Sequence, residues 1–72
     1  MEYLNDIFYN HNEKQWILKI SFSDNPYKMI KKSKDIIELQ KIQNILDNRV
    51  NDFFKKKTSI LKTSDLGFAY IK

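Results

Sequence analysis

Six lysines carry the most pointed chemical pattern in this chain. Lys31, Lys32 and Lys34 precede a long apolar-periodic stretch, and Lys55, Lys56 and Lys57 follow it. Lysine ammonium groups meet phosphates as point charges, so two such blocks at the ends of one rod could track a nucleic-acid backbone. Tyr27 beside Lys28 adds an aromatic–basic neighbour of the kind that stacks a base and holds a phosphate. Against this, a charge run is more often a solvated surface, and the last three lysines also suit the negative pole of a helix. Arginine, which reads base edges and planar phosphates, occurs once, as Arg49. Nucleic-acid binding through Tyr27 and these lysines should therefore be tolerant of sequence.

Other chemistries find less material. There is no cysteine, hence no disulfide, no thiolate metal site and no thiol nucleophile. His11 is the one histidine and sits in a turn-rich cluster, so neither a histidine-based zinc site nor a catalytic triad is expected. A single glycine excludes a glycine-rich phosphate loop. Asp35, Glu38, Asp47 and Asp52 spread around the helical stretch and do not pair for acid–base work. The chain is expected to be no enzyme and to need no cofactor or metal.

Charge is patterned along the chain. The formal net charge is +4. Residues 28–34 hold four lysines and no acid, and residues 55–72 hold five lysines and one aspartate, whereas the segments 1–27 and 35–54 are each net acidic. The positive charge thus flanks the helical stretch in two blocks. No run approaches the ~20 apolar residues of a membrane span, and the first residues lack the basic-then-apolar layout of a signal peptide. The expectation is a cytoplasmic protein that does not contact a membrane. The richness in Lys, Asn and Ile is what AT-rich codons give, as in AT-rich bacteria, their phages and their plasmids.

The elements that must position these residues follow from periodicity. Between Ser33 and Lys57, Ile36, Leu39, Ile42, Leu46, Val50 and Phe53 recur every three or four residues and predict one amphipathic helix, with Ile45 and Phe54 on the same side and Ile37 roughly opposite. Ser33 is placed to cap it and Asp35 to lie in its first turn. Trp16, Leu18, Ile20 and Phe22 alternate with a mostly polar set and predict a strand over 15–23 with one dry face. Residues 3–9 and 27–32 admit strand or helix and are read as strands. Asn10 to Glu13 and Asp24 to Pro26 are read as turns. Leu66 to Ile71 reads as a last strand, in which Gly67 would permit a bulge.

One domain over residues 1–72 results, of α+β class. A small antiparallel sheet of three or four strands, in the order β-β-β-α-β, should pack against one long helix. Trp16 and Phe22 belong to its core, whereas Tyr3, Tyr9, Tyr27 and Tyr70 are placed near edges and turns. The expected function is binding of another macromolecule, foremost a protein, as a phage- or plasmid-type regulator or inhibitor. Sequence-tolerant nucleic-acid binding through the two lysine blocks is the alternative. The expected oligomeric state is a monomer or a weak homodimer, with Ile17 and Ile37 as the apolar residues left outside the core faces.

Overall fold

Alternation of large apolar and polar side chains makes β2 (Gln15–Phe22) the middle of the fold. A computed structural model of the chain describes residues 3–23, 26–56 and 61–71. In it β1 (Tyr3–Asn10), β2 and β3 (Lys28–Ser33) form a meander, α1 (Ile36–Lys56) crosses over, and β4 (Ala69–Ile71) returns to the sheet. All pairings are antiparallel, and the strand order is β1-β2-β3-β4. This is the expected α+β architecture with the expected order of elements.

Register assigns the faces. Tyr3 pairs with Phe22, Ile7 with Leu18, and Tyr9 with Trp16, while Ile20 pairs with Asn5 on one side and Met29 on the other. These residues share the face under the helix. Leu18, Ile20 and Met29 meet Leu39, Leu46 and Val50 of α1 and Leu66 from the last segment. Tyr3, Ile7, Trp16, Phe22, Ile42, Leu61 and Phe68 border this core.

The helix starts later than Ser33. Its first residue is Ile36, and the carboxylate of Asp35 accepts from the Ile37 N–H at 2.9 Å, so Asp35 caps it. The Ser33 hydroxyl accepts from the Asp35 N–H and donates to Glu38, joining the chain entry to the first turn. Among the described residues Phe53 is half-buried and is not one of those packed against the core, where the periodicity puts it; its ring lies beside Phe54, with centroids 5.7 Å apart. Twenty-one helical residues span about 32 Å. Eight strand residues span about 26 Å, less than the helix, and Asp47 already meets Tyr3, the first residue of β1. Ile45 and Phe54 flank the buried stripe and are exposed.

The β1–β2 turn is where it was expected: the Asn10 side chain accepts from the N–H groups of Asn12 and Glu13, and Lys14 is left-handed, with φ 56°. After the helix, Ser64–Leu66 forms a 3₁₀ turn closed by the Leu66 N–H donating to the Thr63 carbonyl. Gly67, at φ 75° and ψ 27°, ends that turn in the left-handed region, where a side chain would be strained. Gly67 thus precedes β4 and forms no bulge within it. Asp24 and Asn25 of the expected turn lie outside the described residues, as do residues 57–60.

Candidate interaction surface

Among the described residues no helix covers the second face of the sheet. Register puts Leu4, Ser21, Lys28 and Ile71 in one row across it, and Asp6, Lys19, Ile30 and Ala69 in the next. Phe8, Ile17 and Lys32 make a third row. Leu4 is 64% exposed, Ile71 40% and Phe8 38%, whereas Ile17, flanked by Phe8 and Lys32, is buried at 6% although it lies outside the helix-side core. The face therefore mixes apolar side chains with Lys19, Lys28 and Lys32 around one acid, Asp6. Lys32 reaches Glu13 at 2.7 Å, an exposed ion pair of little worth to stability.

The lysines of the two expected blocks are spread over several elements. Lys28 and Lys32 belong to the open sheet face. Lys31 pairs in register with Leu18, so it sits on the helix side, and its Nζ comes close to Gly67. Lys34 is exposed in the β3–α1 connection, near the start of the helix. Lys55 is exposed near the far end, Lys56 is the last helical residue, and Lys57 lies outside the described residues. Tyr27 is exposed just before β3. The two blocks are thus separated by the length of α1, about 32 Å, and the first is split across both sides of the sheet.

Arg49 is engaged within the chain. Its guanidinium donates to both carboxylate oxygens of Asp65, at 2.7 and 2.9 Å, and to the Lys62 carbonyl at 3.2 Å. The Arg49 hydrogen bonds hold the Asp65 carboxyl well below its ordinary range, at about 2, and the same pairing raises the Arg49 pKa. The fork ties the segment after the helix back onto it.

A polar cluster lies where β1 meets α1. The Tyr3 hydroxyl donates to Asp47 at 2.7 Å, Asn5 donates to Asp47 and to the Tyr3 oxygen, and Gln43 donates to Asn5. Burial, with smaller help from Asp47, pushes the Tyr3 hydroxyl above its ordinary range, against a lowering by Asn5. Every member is half-buried and bonded, so the cluster reads as a structural joint. At the hairpin end, Tyr9 makes edge-on contacts with Trp16 at 5.1 Å and His11 at 4.9 Å. No group of three or more His, Cys, Asp or Glu side chains that could hold a metal ion exists among the described residues. No helix is long and apolar enough to cross a membrane among those residues.

Sequence reasoning missed Leu4, Phe8, Lys19, Ile30 and Ile71 as candidate contact residues. The signal was the second half of each strand alternation. The open face of β2 contains Ile17 between polar residues, and its neighbours on β1 and β3 supply Phe8 and Ile30 at the matching parity. The chain matches no family model, no curated protein and no solved structure.

Proposed function

We propose that this chain is a non-enzymatic protein that binds another protein through the open face of its sheet. The observation that carries this reading is the placement of exposed Leu4, Phe8 and Ile71, with half-buried Ile30, among Lys19, Lys28 and Lys32. Protein interfaces are built from an apolar centre within a polar rim. A complementary partner would present an apolar patch bordered by carboxylates. A regulator or inhibitor of phage or plasmid type works by occupying such a partner surface and needs no chemistry of its own; the richness in Lys, Asn and Ile, as AT-rich codons give, supports that setting, in the cytoplasm. The test is capture of the tagged chain from cells that carry its gene, with nuclease treatment before identification. A stoichiometric protein is the expected companion.

Sequence-tolerant nucleic-acid binding remains the second reading, because Phe8 and the three lysines share one sheet face. Sheet-based readers of single strands stack two or three bases on aromatic rings, and this face offers one. The two lysine blocks lie apart, and Arg49 is held by Asp65. Affinity for random DNA or RNA at physiological salt is expected in the weak range of about 10⁻⁴–10⁻⁶ M. Replacing Lys31 and Lys34, which lie off the open sheet face, with Glu should leave capture of the protein partner intact. Nanomolar nucleic-acid binding lost in that variant would make this second reading the better one.

A further inference from the structure

The free edge of β1 is the second unpartnered feature of the fold. β1 is an end strand, eight residues long, paired along its whole length with β2 on one side. Among the described residues no backbone hydrogen bond from another element reaches its other side. Edge strands are ordinarily protected by lysine, proline, a bulge or shortness. β1 has no lysine or proline, and its register with β2 runs without a bulge. The opposite edge, β4, is three residues long and so is protected.

We infer that the β1 edge pairs antiparallel with the β1 edge of a second copy of this chain, about a two-fold axis at Ile7. Three observations favour this occupant. First, sheet parity restricts the choice. Odd-numbered residues of β1 face the helix and even-numbered ones face solvent, so a continuous sheet must pair like with like. Centring on Asp6 would set two carboxylates directly opposite each other, which is unfavourable. Centring on Ile7 sets Ile7 against Ile7 on the helix side, where Ile7 already borders the core, and Phe8 against Asp6 on the open side. The two Phe8 rings then lie diagonally across the axis, within reach of one another. Second, Lys31 lies on β3 and Lys34 just after it, two strands from the β1 edge, so this pairing does not bring the first lysine block against its copy. Third, eight buried apolar side chains among the described residues, in a chain without cysteine, make a small core, for which a partner subunit is a common means of support. The pair would form one eight-stranded sheet whose open faces join, enlarging the surface proposed above without depending on it.

The experiment is sedimentation equilibrium of the whole chain from micromolar to millimolar concentration, on three proteins. The parent is expected to show a reversible monomer–dimer equilibrium. Phe8→Glu places a glutamate opposite Asp6 of the second copy, twice per dimer. It should raise the dissociation constant about tenfold or more. Phe8 is on the solvent side of the sheet, so the variant should keep a cooperative unfolding transition. Adding Asp6→Lys to that variant turns both contacts into opposite-charge pairs and should restore the dimer. A parent that is monomeric throughout the range overturns the inference, and would leave the edge to a strand of another protein. An equally dimeric Phe8→Glu variant, or a double variant that stays monomeric, overturns the Ile7-centred pairing.

Discussion

Arg49 on the helix and Asp65 in the last segment meet fork to fork, with N–O distances of 2.7 and 2.9 Å. The two residues are sixteen apart in sequence, and their pairing brings the 3₁₀ turn into place so that Leu66 enters the core and β4 meets β3. The Arg49 hydrogen bonds lower the Asp65 pKa from 3.8 to about 2. A depressed carboxyl pKa contributes stability that is complete above the unfolded value and is lost as pH falls through the folded one. The clamp should therefore be intact above about pH 4 and release toward pH 2. Asp65→Asn should show the released state already at neutral pH. Amide exchange of Ala69 to Ile71 should be faster in that variant, with exchange in β2 unchanged; equal exchange in β4 would show that the fork does not hold the segment.

Tyr3 and Asp47 join β1 to the helix. Removing the hydroxyl in Tyr3→Phe should cost about 1–2 kcal/mol, since the bond is made to a carboxylate. The raised Tyr3 pKa means that its share of stability is present below about pH 10 and is lost as pH rises through the higher folded value. Chemical denaturation at alkaline pH should show this decline in the parent and a smaller one in Tyr3→Phe. Identical pH profiles would separate the hydroxyl from stability.

Leu46 and Ile37 test the orientation of one helix. Leu46 is fully buried and Ile37 is 57% exposed. Leu46→Ala should cost about 2–5 kcal/mol, a large part of what so small a domain has. Ile37→Ala should stay within about 0.5 kcal/mol. Urea unfolding of both variants checks the pair, and comparable losses would contradict the orientation.

The elements were legible where a single period ran undisturbed. The alternation at Trp16 to Phe22 and the three–four spacing from Ile36 to Val50 have one physical solution each, and the structure has both. The β1–α1 joint was not legible. Asn5, Gln43 and Asp47 are polar types that pattern reasoning assigns to solvent, and only the register of β1 under the helix reveals that they satisfy one another. Lys31 and Lys32 are neighbours in sequence, and neighbouring residues of a strand point to opposite faces, so the two lie on different sides of the sheet. Gly67 was read within a strand because Leu66, Phe68 and Tyr70 alternate; its left-handed backbone instead ends a turn. The open sheet face is not legible from one strand, because the second parity of β2 is mostly polar, and Leu4, Phe8, Ile30 and Ile71 join it only through the register.

The central claim is that the open sheet face is the partner-binding surface. It is tested most directly by comparing capture by the parent with capture by Ile30→Glu/Ile71→Glu and by Ile37→Glu, all under nuclease treatment. Ile30 and Ile71 lie on β3 and β4, away from the β1 edge, and Ile37 lies on the exposed back of the helix. The same protein should be recovered by the parent and by Ile37→Glu, and lost with Ile30→Glu/Ile71→Glu while that variant still unfolds cooperatively. Undiminished recovery by Ile30→Glu/Ile71→Glu, or loss confined to Ile37→Glu, would contradict the claim.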